Sequence, residues 1–172
     1  MLVAQVMIKL AKYRKSLGDE SLDTRISLVR PTVALKEQYL SFYQEWIESG
    51  EDMVPWVISK DPSDFQAMVQ FLLDQEKGVN LPENWVPDST FWLVVGQSVV
   101  GAVNIRHRLT EKLLHCGGHI GYGIRPSERR KGYATQLLAL SLPKAKELGI
   151  ERALVVCDEG NIASEKTILK NG

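Results

Sequence analysis

Two cysteines in 172 residues, Cys116 and Cys157, and neither at a metal-ligand spacing, exclude a disulfide framework and a thiolate metal site. Both read as reduced structural residues in apolar or glycine-rich surroundings, which suits a cytoplasmic compartment. Charge of one sign is equally missing. The 21 basic and 21 acidic residues cancel, so nothing global draws the chain to nucleic acid or an anionic membrane. Any anion site has to be local. No apolar run is long enough to span a bilayer, and the N-terminal MLVAQVMIKLAKYRK is broken by Lys9. That stretch has no basic region before it and no small-residue cleavage site after it, so it reads as a helix rather than a targeting signal. There is no repeat and no low-complexity segment. The phosphate patterns G-x-x-x-x-G-K-S/T and G-x-G-x-x-G are missing too, which disfavours ATPase and dinucleotide-binding readings. What remains is an ordinary globular composition, 44% apolar and 24% charged, in one domain's length.

Along the chain, residues 1–24 read as an N-terminal extension, helical and ending in the polar stretch Ser16 to Thr24. A short strand from Ile26 to Arg30 is closed by Pro31. Helical spacing of Leu35, Tyr39, Phe42, Tyr43 and Trp46 predicts an amphipathic helix from Val33 to Glu48. A second helix is expected from Pro62 to Glu76, capped by Asp61, followed by a proline-containing loop from Gly78 to Ser89. Thr90–Val95 and Ser98–Arg108 form a hairpin about the turn Gly96-Gln97. A polar connection leads to a strand over Gly118–Arg125, a helix over Arg130–Leu148, a strand over Arg152–Cys157 and a last helix over Asn161–Asn171. Pro143 should kink or end the long helix near Ala139 to Leu142. A hairpin followed by β-α-β-α makes a mixed α/β sheet with a crossover helix between two parallel strands.

The segment with chemistry in it is GHIGYGIRPSERRKGYAT, Gly118 to Thr135. Gly117, Gly118, Gly121 and Gly123 weaken a strand, so their presence points to a bulge or a close backbone approach by a ligand. Arg125, Arg129, Arg130 and Lys131 then gather just ahead of Gly132 and a helix. Cations there oppose the helix dipole unless an anion sits between them. With unpaired N–H groups and a glycine that admits a close approach, the arrangement suits a pyrophosphate.

Arg129-Arg130-Lys131-Gly132-Tyr133-Ala134 resembles the R/Q-x-x-G-x-G/A signature of the GNAT superfamily of N-acetyltransferases, in the family's context of strand, proline and long helix. Asn161-Ile162-Ala163-Ser164 is similar to the N-x-x-S/A start of the family's next helix. The resemblance covers residues 25–172 and is architectural before Gly118. It implies a GNAT-like acyl-CoA N-acyltransferase fold, a mixed sheet flanked by helices. It implies acetyl-CoA as donor and direct transfer to a primary amine of a small molecule or peptide. The backbone of Tyr122, Gly123 and Ile124 would hold the pantetheine arm between splayed strands and polarise the thioester. The amides from Arg130 through Gly132, Tyr133 and Ala134 to Thr135, with the charges of Arg129, Arg130 and Lys131, would hold the pyrophosphate. Asn161 would meet the pantetheine. In two places the chain departs from the family. The tyrosine that protonates the departing thiolate is replaced by Ile168, and the family's last two strands do not follow Gly172. An edge left open this way would suit pairing with a second copy.

The amine has to lose a proton, and His119 is the candidate base, with Asp158 and Glu159 next; a hydrogen-bonded strand histidine is the alternative for His119. Glu45, Glu48, Glu51 and Asp52 beside Trp46 and Trp56 read either as a mouth for a cationic amine or as a solvated helix end. Arg106 or His107, which face opposite sides of their strand, could hold an acceptor carboxylate. Cys157 follows a buried-type run and reads as core rather than nucleophile. A non-catalytic acyl-CoA sensor and an unrelated phosphate-binding α/β protein are the competing readings.

Overall fold

The computed structural model describes residues 3–11 and 26–172. Six strands form one mixed sheet: β1 (Val3–Lys9), β2 (Ile26–Val29), β3 (Asp88–Val95), β4 (Ser98–Arg106), β5 (Ile120–Ile124) and β6 (Arg152–Asp158), in the order β1-β6-β5-β4-β3-β2. Neighbours are antiparallel except β5 and β6, which are parallel. Helices α1 (Lys36–Ser49) and α2 (Phe65–Lys77) cover one face, where Tyr39, Phe42, Trp46 and Phe65 pack with Trp92 and Ala102. Helices α4 (Tyr133–Glu147) and α5 (Ile162–Asn171) cover the other, where Leu137, Leu138, Leu142 and Ile168 meet Val103, Ile105, Ile120 and Val155. The mixed α/β architecture with a crossover helix is the one expected. The short helix α3 (Glu111–His115), capped by Thr110, lies where a polar connection was expected.

The N-terminal helix is corrected. Residues 3–9 form strand β1, antiparallel to β6 in the register Val3↔Asp158 to Lys9↔Arg152; the rest of the expected helix, beyond Ala11, lies outside the described residues. The apolar positions Val6, Ile8 and Leu10 satisfy period two, and β-branched residues favour a pleated surface. The decisive factor is the unpaired β6 edge, which local pattern cannot foretell. Ile8 and Leu10 are fully buried by this pairing, so the segment belongs to the core rather than to an appendage. It also covers the edge that was expected to await a second copy.

Two smaller expectations shift. Asp64, not Asp61, caps α2, its carboxylate accepting from Ala67 N–H at 3.0 Å, while Asp61 turns back on Ser63. Pro143 does not end α4, which runs on to Glu147. One missing backbone hydrogen bond is outweighed there by the buried side chains of Leu138, Leu142 and Ala145 on the same helix.

Ile8→Ala should cost about 2–5 kcal/mol in urea unfolding. Met7→Ala, on the exposed face of the same strand, should stay within about 0.5 kcal/mol of wild type.

Candidate functional site

Parallel strands β5 and β6 share a single bridging pair, Ile120↔Val155, and part beyond it. A cleft of about 880 Å³ opens between them and is lined along β5 by Gly121, Tyr122, Gly123 and Ile124, and along β6 by Val156, Cys157 and Asp158. Two glycines make this geometry possible. Gly118, at φ 61°, turns the chain into β5 so tightly that a Cβ would lie 2.6 Å from the Leu154 carbonyl. Gly123 carries the carbonyl of Val54 directly against its α-carbon, where any side chain would overlap it.

His119 holds the point of divergence. Its backbone N–H donates to Leu154 O at 2.7 Å, and its ring Nδ1 accepts from Leu154 N–H at 3.0 Å. The ring therefore stands in for a strand acceptor, with its proton on Nε2. A base needs a free lone pair facing substrate, and His119 does not line the cleft. The expectation of a catalytic base at His119 is corrected for that reason. Burial, followed by the nearby Arg106 charge, pushes its pKa below the ordinary histidine value. Arg106 spends its guanidinium on the carbonyls of Gly117 and Gly118, at 3.0 and 3.1 Å, and His107 pairs with Ser89 Oγ at 2.9 Å. Both side chains that were candidates for an acceptor carboxylate are thus committed within the protein.

At the other end of the cleft, α4 starts at Gly132, whose φ of 86° lies in the left-handed region and which supplies no side-chain cap. The first N–H groups of a helix have no intrahelical partner, and here Tyr133, Ala134 and Thr135 line the cleft. Arg130, also at positive φ (63°), lines it with no hydrogen-bond or ion-pair partner among the described residues. Lys131 does not line it; its ammonium pairs with Glu128 at 2.9 Å. Arg129 lines it but is tied to Ile124 O and Glu51. The turn before α4 is anchored to α1 by Glu45, which accepts from Arg125 Nε at 2.6 Å and from both the N–H and the hydroxyl of Ser127. Burial works against ionising Glu45, but these donors outweigh it and hold the carboxyl below its ordinary pKa.

Between the two ends, the Tyr122 hydroxyl and Ser164 Oγ form a 2.9 Å hydrogen bond, and both residues line the cleft. Burial raises the Tyr122 pKa, which keeps the phenol protonated. Motif reading missed this pair because Ser164 counted only as part of a helix start. Ile168 is fully buried in the core and does not line the cleft. Asn161 lines the cleft while its Oδ1 caps α5 through Ser164 N–H at 3.1 Å. Cys157 packs in the core with one side toward the cleft, whereas Cys116 is exposed at the cleft wall rather than structural.

The acidic group around α1 does not act as one mouth. Glu45 is bound as described, Glu48 accepts from Gln44, and Glu51 pairs with Arg129; Glu51, Asp52 and Trp46 line the cleft. Trp56 lies elsewhere, edge-on to Phe71 and Trp85. No group of three or more histidine, cysteine or acidic residues among the described residues is arranged to hold a metal. None of the helices described is long and apolar enough to cross a membrane.

Residues 25–172 match the model of the family described as acetyltransferase (GNAT) domain. No curated protein sequence gives a significant match. Among solved structures, the chain resembles the microcin C7 self-immunity acetyltransferase MccE in complex with acetyl-CoA and AMP. The TM-score is 0.58 at 18% identity, covering 87% of this chain and 79% of that one. At that identity the likeness is one of fold.

Gly123→Ala should displace Val54 and cost about 1–3 kcal/mol in denaturant unfolding. A depressed histidine pKa means that the unfolded state binds the proton more readily. The His119 contribution should be complete above about pH 6.5 and fall away below it. His119→Asn, which keeps an acceptor but cannot titrate, should flatten the stability profile in that window.

Proposed function

Because the chain belongs to the GNAT acetyltransferase family, whose acyl donor is acetyl-CoA, we propose that it transfers an acetyl group directly to a primary amine of a small molecule or peptide. The observation that carries this reading is one cleft with an uncapped helix N-terminus and Arg130, which has no partner among the described residues, at one end, and a hydroxyl pair midway along it. The amides of Tyr133, Ala134 and Thr135, with Arg130, suit the pyrophosphate of the donor. Backbone groups of Tyr122, Gly123 and Ile124, released from ladder pairing where β5 and β6 part, suit the amide groups of its pantetheine arm.

The nucleophile has to be the neutral amine, and for a lysine-like amine near pH 7 deprotonation costs about 4–5 kcal/mol. Asp52 and Asp158, both exposed and lining the cleft, are its carboxylates without an ion-pair partner among the described residues, unlike Glu51 and Glu128. The amine nitrogen attacks the thioester carbonyl, the carbon–sulfur bond breaks, and the thiolate takes a proton. Ser164 Oγ–H is placed to give that proton and to recover it through the Tyr122 phenol, which is reprotonated from water carrying the proton lost by the amine, where the family tyrosine is replaced by the buried Ile168. A thiol with a pKa of about 8.5 is a fair leaving group, so this donor assists rather than decides. Both free thiols fit a cytoplasmic setting for the reaction.

Acetyl-CoA and coenzyme A, but not ATP, should raise the melting temperature, by the equivalent of about 2.7 kcal/mol at a hundredfold excess over Kd. Gly132→Glu should abolish that shift. Absence of any shift on the wild type would overturn the reading. Ser164→Ala should lower kcat for thiol release by about 100-fold with the acetyl-CoA affinity retained. Tight binding with no thiol release on any amine would favour the acyl-CoA sensor instead.

A further inference from the structure

Arg129 is part of the phosphate-loop signature, yet its side chain is directed elsewhere. Its Nε donates to Ile124 O at 3.1 Å, Nη1 donates to Glu51 Oε1 at 2.9 Å, and Nη2 lies 2.8 Å from Glu51 Oε2. The guanidinium also stands over the Trp46 ring, 5.2 Å from its centroid. One side chain thus ties the end of β5 to a residue of α1 and to the segment that follows α1. That segment begins at Gly50, the left-handed cap of α1, and supplies Glu51, Asp52 and Val54 to the cleft wall. Its Val54 carbonyl rests on Gly123.

We propose that Arg129 is a positioning residue that clamps the 50–54 segment over β5 and so sets the acceptor-side wall of the cleft, rather than a ligand of the donor's phosphates. The inference rests on the acetyltransferase reading for the word acceptor, but the clamp itself is independent of it. A bidentate carboxylate pair with an aromatic face beneath uses the planar fork in a way that lysine cannot reproduce. Binding a phosphate on the same edge of the guanidinium would require that pair to break, whereas Arg130, at the same cleft, has no partner among the described residues. The clamp also neutralises Glu51, so Asp52, with no ion-pair partner among the described residues, is the carboxylate the wall presents to a cationic amine.

The test compares wild type with Arg129→Gln, Arg130→Gln, Arg129→Lys and the reversed pair Arg129→Glu with Glu51→Arg. The readouts are coenzyme A titration and hydrogen exchange of the amides from Glu51 to Val54, with the melting temperature confirming that each variant folds. Arg129→Gln should bind coenzyme A within about twofold of wild type, while Arg130→Gln should bind about tenfold more weakly. Exchange in the segment should quicken about three- to tenfold in Arg129→Gln and recover only partly in Arg129→Lys and in the reversed pair, which restores the ion pair but not the donor to Ile124 O. Three results would each overturn the proposal. They are equal loss of coenzyme A affinity in the two glutamine variants, unchanged exchange in Arg129→Gln, and no recovery in the reversed pair. If wild type does not bind coenzyme A at all, the acetyltransferase reading fails, and the exchange measurements still decide the clamp.

Discussion

Two parallel strands that touch at one pair of residues and then separate are the constraint on which the rest of the site depends. Strand β5 meets β6 at Ile120 and Val155, and beyond that point their backbone groups have no common ladder. Separation has to be held open against the tendency of unpaired backbone to find partners. Below the split, His119 bonds Leu154 through both its backbone and its ring, which makes the junction rigid. Above it, the segment after α1 presses on Gly123 and keeps β5 aligned with β4 instead of drifting to β6. A cleft results in which the parted backbones of β5 and β6 lie among side chains such as Trp46, Tyr122 and Tyr133.

Charge is organised just as locally. The chain as a whole is neutral, and most of the cations near the head of α4 are answered within the protein: Arg125 by Glu45, Arg129 by Glu51 and Lys131 by Glu128. These pairs brace the loop against α1 and within itself. Surface ion pairs contribute little stability individually, so their value here lies in the directions they impose. Arg130 and the uncapped amides are left to face the cleft, which concentrates positive potential on one spot of a neutral molecule.

Sequence reading reached the sheet, its crossover helix and the helix start at Gly132 because each has a local cause. Gly132 ahead of a helical run, Pro126 after a strand and the glycines before β5 act through their own backbone preferences. The reading of His119 failed for the opposite reason: whether an imidazole is a base or a strand acceptor depends on Leu154, thirty-five positions away. Arg106 is the same case, since the carbonyls of Gly117 and Gly118 that occupy it come from another part of the chain. The β1 segment carries a pattern that serves helix or strand, and only the vacant side of β6 selects between them.

By itself the sequence determined the order of most of the elements, the uncapped helix start at Gly132 and the family to which those residues belong, since these follow from short-range sterics and from which groups a helix terminus leaves unpaired. Tertiary structure decided which of the signature's cations are held in ion pairs, that Ser164 meets Tyr122 in the cleft while Ile168 is buried, and that an N-terminal strand completes the sheet. Those outcomes are contacts between residues distant along the chain, and no local preference encodes which partner arrives.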